Sequence, residues 1–201
     1  MESKNRYLWG ILIVALLAAT GCSRKVVARL DSDSVTDLSG RWNDTDSRLV
    51  SEEMTRDCLT SPWKHDWQAR SAKPTVIVGQ IRNKSSEHIA VGTFIGDIER
   101  AFINSGEVRS VASAEEREEV RAERADQQQN ASEETVKQWG REHGADYMLS
   151  GTINSITDQE EGEKIVFYQI DLTLIDLEEN TKVWQGQKKI KKYIGRGKFK
   201  P

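Results

Sequence analysis

The chain has 201 residues, 29 basic and 32 acidic side chains, a net charge of -3 and a mean hydropathy of -0.63. This nearly balanced charge argues against nucleic acid as a partner, and the length suits one domain with a sizeable core. The charge is nevertheless uneven, because residues 188–201 contain seven basic side chains and no acidic one. This stretch is interpreted either as a solvated chain end or as a binding segment for anionic lipid head groups or an acidic protein.

The N-terminus has the order of segments found in a secretory signal. Lys4 and Arg6 precede an apolar run over residues 7–19, which is interrupted only by Gly10. At about 1.5 Å per residue, a helix of this length spans roughly 20 Å, which is short of the ~30 Å hydrocarbon core of a bilayer. We therefore expect residues 1–21 to be a cleaved signal peptide instead of a membrane-spanning helix.

Residues 19–22, "ATGC", resemble a bacterial lipobox. This resemblance implies cleavage after Gly21, diacylglycerol on the thiol of Cys22 and a further acyl chain on its amino group. Two or more acyl chains provide stable anchoring. Ser23, not aspartate, follows the cysteine, which implies sorting to the outer membrane of a Gram-negative cell. The alternative is a plain signal peptide with an incidental cysteine.

Residues 26–60 contain a short apolar segment and then a helix. Residues 26–30 are compatible with a short strand, and Asn43, Asp44 and Asp46 offer oxygens that can cap the helix. The predicted apolar side of the helix consists of Leu49, Val50, Met54, Cys58 and Leu59. With Cys22 acylated, Cys58 has no intramolecular disulfide partner. We expect it to be a buried, inert thiol, with an intermolecular disulfide as the alternative.

Two tryptophans follow this helix. Ser61 and Pro62 predict a cap and a first helical residue, and Trp63 and Trp67 then fall on one side of a short helical segment. Aromatic side chains together with Arg70 are typical of partner-binding anchors. The alternative is that the tryptophans pack a minor core.

Residues 75–144 alternate between strand and helix patterns. The apolar run Val76, Ile77, Val78 and Ile81 predicts a central strand that is buried on both faces. A helix follows, with its apolar side formed by Val91, Phe94, Ile95, Ile98, Ala101 and Phe102 and its end at Gly106. Residues 107–111 form a weak strand candidate, and residues 114–129 predict a solvated helix. A further helix is expected from Ser132 to Gly144, with Val136, Trp139 and His143 on one side as core or capping residues.

The last part of the chain predicts three strands, at residues 145–156, 165–177 and 181–190. Hairpins at Gly162 and at residues 178–180 join them. Strict alternation places one set of side chains on a single face: Val166, Tyr168, Ile170, Leu172 and Leu174. The order from Val76 is β-α-β-α-α-β-β-β. This order predicts an α+β fold with helices on one face of a mixed sheet, two parallel strands first and an antiparallel meander last.

The sequence offers no catalytic constellation, and neither a metal site nor a cofactor is predicted. His65, His88 and His143 are far apart, and no phosphate-binding glycine motif occurs. The adjacent pairs Glu52-Glu53 and Glu133-Glu134 diverge by ~100° per residue on a helix, which is unsuitable for an acid/base pair. We therefore predict that the chain is not an enzyme. The minor enzyme hypothesis requires a pocket that gathers His65, Asp66 or Cys58.

Four segments resemble the LpoB-like family of lipoproteins, the penicillin-binding protein activators: "DLSGRWNDTDSRLV" at 37–50, "SPWKHDW" at 61–67, "TVIVGQIRNKS" at 75–85 and "GADYMLSGTI" at 144–153. The resemblance implies the fold of the LpoB and TolB N-terminal-like domains. It also implies an outer-membrane lipoprotein that binds the periplasmic accessory domain of a class A bifunctional penicillin-binding protein. Such a protein stimulates glycan polymerisation and peptide cross-linking and performs no chemistry itself.

The resemblance also divides the chain. The implied parts are a signal peptide at 1–21, a lipidated N-terminus and short connecting segment at 22–45, a single periplasmic α+β domain at 46–192 and a basic tail at 193–201. Family members with a long Pro-rich linker pass through the cell wall, whereas residues 23–45 here span at most about 80 Å. Candidate partner-binding residues are Trp63, Trp67, Arg70, Lys191 and Lys192.

A second family shares the pattern of residues 75–190. The curli secretion channel subunit is similar there, and it oligomerises into an outer-membrane pore. Another envelope-assembly lipoprotein of similar fold is a related alternative. A pore subunit must add long amphipathic strands that face lipid. This chain has one clean alternating run, residues 166–174, which a sheet packed on helices already requires.

Overall fold

A computed structural model of the chain describes residues 27–69, 71–130 and 142–195. Several predictions fall outside these ranges. They concern the signal peptide, Gly21 and Cys22, Arg70, the helix predicted from Ser132 with Val136 and Trp139, Glu133-Glu134, and the tail residues 196–201.

The chain divides into two compact units, Met1–Ser34 and Val35–Pro201. In the first unit, the strand predicted at residues 26–30 is wrong over its described part, because residues 27–30 have no regular structure. Val27 is 84% exposed and Leu30 is 69% exposed, so this segment has no packed surface to stabilise a strand. A turn follows, in which the Ser34 N–H donates to the Asp31 carbonyl at 3.1 Å.

The second unit contains the helices and strands. Among the described residues, the helices are α1 (Asp44–Thr60), α2 (His65–Ala69), α3 (Val91–Ser105) and α4 (Ala114–Asn130), with a 3-10 turn at Pro62–Lys64. The strands are β1 (Thr75–Asn83), β2 (Arg109–Ser110), β3 (Tyr147–Glu160), β4 (Glu163–Asp176) and β5 (Lys182–Ile194).

The strands form one mixed sheet with the order β2-β1-β3-β4-β5. Strand β1 pairs in parallel with β2 and β3, whereas β3, β4 and β5 form an antiparallel meander. The predicted α+β fold is therefore confirmed. Strand β5 continues to Ile194, beyond the predicted end near residue 190, so Tyr193 and Ile194 belong to the sheet and not to the basic tail.

The core lies between the sheet and helices α1 and α3. The predicted alternation on β4 is confirmed, because Val166, Tyr168, Ile170, Leu172 and Leu174 are all buried. Helix α3 contributes Phe94, Ile98 and Phe102, and helix α1 contributes Val50, Met54 and Cys58. In both helices these side chains are four residues apart, which places them on one face.

Two apolar residues lie away from the core, contrary to prediction. Leu49 is 46% exposed, because the buried side of α1 also includes the small polar residues Ser47 and Ser51, which turns Leu49 toward solvent. Ile77 is only half-buried, since Val76 and Val78 face the helices and Ile77 points to the other side of the sheet. Strand β1 is central, but it is buried on one face only.

The ends of the helices follow the sequence signals. Asn43 caps α1, and its side chain accepts from the Asp46 N–H while the Asp46 carboxylate accepts from the Asn43 N–H, both at 3.0 Å. This capping box satisfies two of the free N–H groups at the helix start. Gly106 ends α3 with φ of 66°, a left-handed conformation that suits glycine. Helix α4 has no buried residue, as the sequence predicts.

Candidate partner-binding surfaces

The segment before α1 is tied to the far end of β5 by Lys192. The Lys192 Nζ atom donates to Asp37 Oδ1 and Asp46 Oδ2, both at 2.7 Å, and to the Arg41 carbonyl at 3.2 Å. The Asn43 amide also donates to Asp37 Oδ1, at 2.6 Å. These contacts, which we call the Lys192 cluster, fold residues 37–43 onto the sheet.

The charges of the Lys192 cluster shift the pKa values of its members. The hydrogen bond from Lys192 lowers the pKa of Asp37, more than its partial burial raises it. Burial lowers the pKa of Lys192, but the hydrogen bonds to Asp37 and Asp46 outweigh this effect, so the pKa is raised overall. Lys192 was predicted as a partner-binding residue; with its side chain only 11% exposed, its contacts are within the chain.

Trp42 holds the same segment against the core. Its ring packs edge-on against Tyr168 and Phe94, with centroids at 5.6 and 6.3 Å. The Glu87 carboxylate accepts both the Trp42 backbone N–H at 3.1 Å and the Tyr168 hydroxyl at 2.7 Å. Burial, followed by this contact with Glu87, raises the pKa of Tyr168 well above its usual value. The compact domain therefore starts before the predicted boundary at residue 46.

Trp63 and Trp67 pack against Tyr147, which the sequence analysis considered as the alternative to partner binding. The two indole rings lie edge-on to the Tyr147 ring, with centroids at 4.9 and 6.4 Å. The Trp63 Nε1–H donates to the Cys58 carbonyl at 2.7 Å, and the Trp67 Nε1–H donates to the Tyr147 hydroxyl at 3.0 Å. Both rings remain half-buried, so their outer edges are accessible. Their role in partner binding stays a prediction.

The lysines of β5 separate by face. Lys188 forms an ion pair with Glu53 of α1, on the same face as Lys192. Lys189 and Lys191 point to the opposite face and are exposed. Of the two lysines predicted to bind a partner, Lys191 is therefore free to do so, and Lys192 is held by carboxylates.

The thiol of Cys58 is buried and has low reactivity. Cys58 is 1% exposed, and burial, together with the nearby Asp57 charge, raises the pKa of its thiol to about 12. The thiolate that reacts with oxidants and metals is therefore strongly disfavoured at neutral pH. This confirms the prediction of a buried, inert thiol.

The groups weighed for catalysis do not converge. His65, His88 and His143 are all exposed, so the prediction that His143 is a core or capping residue is wrong: it lies in an irregular segment and faces solvent. Within residues 27–69, 71–130 and 142–195, no group of three or more His, Cys, Asp or Glu side chains could hold a metal ion. No helix in the same ranges has the length and apolar character needed to cross a membrane.

The sequence analysis missed an apolar area on the open face of the sheet, which we define as the open-face patch. It consists of Ile156, Ile165, Phe167 and Tyr193. Ile156 is 68% exposed and Tyr193 is 63% exposed. The signal was present in β4, where Ile165 and Phe167 occupy the positions between the buried residues that a solvated face would fill with polar side chains.

These features define an α+β domain with exposed surfaces suited to contact with another macromolecule. The family model described as "Peptidoglycan-synthase activator LpoB" matches residues 46–190, and the chain belongs to this family. Members of this family regulate peptidoglycan synthesis as activators. The match favours the activator hypothesis over the channel-subunit alternative.

Solved structures with a similar fold include two LpoB C-terminal domains. The domain from Escherichia coli has 14% identity and a TM-score of 0.42, and the match covers 75% of this chain and 99% of that one. The domain from Salmonella enterica has 13% identity and a TM-score of 0.41, with 72% and 98% covered. Lipoprotein GNA1162 from Neisseria meningitidis has 17% identity and a TM-score of 0.37, with 60% and 83% covered. No curated protein sequence matches the chain.

Proposed function

We propose that this chain is an outer-membrane lipoprotein that binds the periplasmic accessory domain of a class A bifunctional penicillin-binding protein and stimulates its glycan polymerisation and peptide cross-linking. The observation that carries the proposal is the family match over residues 46–190. The order of basic residues, apolar run and "ATGC" motif at residues 4–22 supports the anchor on Cys22.

The activator acts by binding. A protein that binds the active conformation of the synthase more tightly than the inactive one shifts the population toward the active state. This requires a rigid surface and no reacting groups. The buried core, the capped helices and the Lys192 cluster supply that rigidity.

The tether between anchor and domain is short. The compact unit begins at Val35, so 12 residues lie between it and Cys22, which makes 13 steps from one Cα atom to the next. At ~3.5 Å per residue, an extended chain of this length spans about 45 Å. The domain therefore stays near the outer membrane, and the synthase must extend toward it.

The direct test uses the full-length chain, purified in detergent, and a class A penicillin-binding protein from the same bacterium. We expect the chain to bind this synthase and to raise the rate of glycan polymerisation from lipid-linked precursor. A heat-unfolded sample of the same chain is the control. Absence of both binding and stimulation would contradict the proposal.

The anchor has its own test. Mass spectrometry of the chain isolated from membranes is expected to show an N-terminal Cys22 with diacylglycerol and an additional acyl chain. The Cys22→Ser variant should appear in the periplasmic fraction, provided that export continues. An unacylated mature N-terminus would contradict the anchoring but leave the activation test intact.

A further inference from the structure

The open-face patch is continuous across three strands. In the register of the sheet, Ile156 lies opposite Phe167, and Phe167 lies opposite Lys191. In the adjacent row, Asp158 lies opposite Ile165, and Ile165 lies opposite Tyr193. Directly opposite residues have Cβ atoms ~5 Å apart, so the four apolar side chains are neighbours. They form one surface.

The middle of the open face is polar, as expected for a solvated side of an antiparallel sheet. A second apolar row, which is half-buried, lies at its far end and consists of Ile77, Met148 and Ile175. Asp171, at its centre, accepts hydrogen bonds from the side chains of Gln169 and Gln187, both at 2.8 Å. The strongly exposed apolar residues of this face, Ile156 and Tyr193, both lie at the end of the sheet next to the β3–β4 hairpin, and Ile165 and Phe167 are half-buried between them. Contiguous exposed apolar surface of this kind marks interaction sites.

Charge surrounds the patch unevenly. Lys189 and Lys191 are exposed along its β5 side, and neither has an ion-pair partner in the part of the chain that the structure describes. The β5 side is therefore basic, and it complements an acidic surface.

The opposite side of the patch is acidic. Asp158 is exposed at the end of the same face, and the hairpin beyond it carries Glu160, Glu161 and Glu163. The Glu163 carboxylate accepts the Tyr193 hydroxyl at 2.7 Å. An anionic membrane would be repelled by these carboxylates, so the mixed polarity favours a protein that presents acidic groups to β5 and basic groups to the hairpin.

From this arrangement we infer that the open-face patch is the surface that docks onto the synthase. The synthase then presents an apolar surface to Ile156 and Phe167 and acidic side chains to Lys189 and Lys191. This inference deepens the proposed function and rests on it. Exposed aromatic and aliphatic side chains at the centre of a patch with a charged rim are typical of binding hot spots.

The test measures the affinity of the full-length chain for the purified class A penicillin-binding protein from the same bacterium. Ile156→Thr is expected to weaken binding by about tenfold, since a hot-spot residue contributes at least that much. Lys191→Glu is also expected to weaken it by about tenfold, because the charge reversal places like charges opposite each other in the complex. Threonine keeps the β-branched shape that suits a strand. Melting temperatures are compared first, and Lys191→Glu decides the test if Ile156→Thr is unstable.

Two matched controls come from other surfaces. Ile103→Thr replaces an isoleucine that is 59% exposed on α3, and Lys73→Glu reverses an exposed lysine on the loop before β1. Both should bind within about twofold of wild type, because they lie outside the patch. Binding of the wild type should also weaken as salt rises, since the rim is charged.

The possible outcomes separate the two proposals. If the wild type neither binds nor stimulates the synthase, the proposed function fails. If the wild type binds and the patch variants bind equally well, the inference fails while the proposed function stands. Two other results also overturn the inference. One is a patch variant that dissociates a wild-type oligomer in sedimentation without changing synthase binding. The other is a patch variant that loses only its affinity for vesicles of phosphatidylethanolamine and phosphatidylglycerol.

Discussion

Lys192 illustrates how a residue on the last strand fixes the start of the domain. Its ammonium group lies between Asp37 and Asp46, and Asp46 is itself 8% exposed. A buried carboxylate that loses its ion-pair partner is strongly destabilising. The hydrogen bond between Asp46 and the Asn43 N–H reduces this cost but does not remove the charge.

We therefore expect Lys192→Met to lower the free energy of unfolding by about 2–3 kcal/mol. Urea denaturation measures this change. Lys191→Met, one residue earlier and on the exposed face, is the matched control and should change stability by less than ~0.5 kcal/mol. Equal effects of the two variants would show that the Lys192 cluster is not a stabilising contact.

The Lys192 cluster also makes the stability of the fold depend on pH, in a direction that the pKa shifts define. The pKa of Asp37 is lowered by Lys192, so its contribution to stability is present above the ordinary value of 3.8 and is lost as the pH falls through the lowered pKa. The pKa of Lys192 is raised, so its contribution is present at neutral pH and is lost only as the pH rises through that raised value.

We expect Asp37→Asn to be less stable than wild type by a constant amount between about pH 5 and 9, with the difference shrinking as the pH falls below about 4. The effect is small, since Asp37 is half-exposed and solvent screens its charge. Urea denaturation at several pH values provides the measurement. A difference that grows on acidification would contradict the assignment.

At the scale of the elements, close approach between strands makes two glycines differ sharply. A Cβ atom on Gly151 would lie 2.3 Å from the Asp171 carbonyl oxygen, which belongs to the backbone of β4. A Cβ atom on Gly96, on α3, would meet no heavy atom within 4 Å. Substitution of Gly151 therefore tests strand packing, and substitution of Gly96 tests helix propensity.

Gly151→Ala is expected to lower the free energy of unfolding by more than about 2 kcal/mol, because strands β3 and β4 must move apart. Gly96→Ala should raise it by roughly 0.5–1 kcal/mol, because alanine favours the helix. Thermal or urea denaturation of both variants measures these changes in the free energy of unfolding. A stable Gly151→Ala variant would mean that β3 and β4 are not paired in this register.

The elements also show what the sequence could predict. Alternation on β4 and the four-residue spacing of Phe94, Ile98 and Phe102 identified the core, since burial of one face determines both patterns. Leu49 and Ile77 were misplaced because an apolar residue next to a buried stripe looks the same in sequence whether it packs or not. Whether such a residue is buried depends on the residues that pack against it, and these come from distant parts of the chain.

The candidate surfaces were predictable only in part. The basic character of the end of β5 is local and visible in sequence, but which lysines are paired depends on Asp37, Asp46 and Glu53, which are more than a hundred residues away. Likewise, the open-face patch can be predicted only when the pairing register of β3, β4 and β5 is known. The local sequence of each strand does not give that register.

For the molecule as a whole, we propose a short tether joined to a folded domain that carries the open-face patch with its charged rim. With the anchor proposed on Cys22, about 45 Å of extended chain at most lies between the anchor and the domain, so the proposed docking surface would work close to the outer membrane. The open-face patch lies at the end of the sheet where β5 finishes, beside residues 37–43. Residues 37–43 and the open-face patch are therefore parts of one compact unit, because the Lys192 cluster connects residues 37–43 to β5.

The most direct test is site-specific photo-cross-linking in living cells. A photoreactive phenylalanine analogue replaces Ile156 in the full-length lipidated chain, and the same analogue at Ile103 is the control. We expect a class A penicillin-binding protein to be captured from position 156 and not from position 103. Capture of no synthase at either position, from cells in which both chains are acylated and folded, would contradict the central claim.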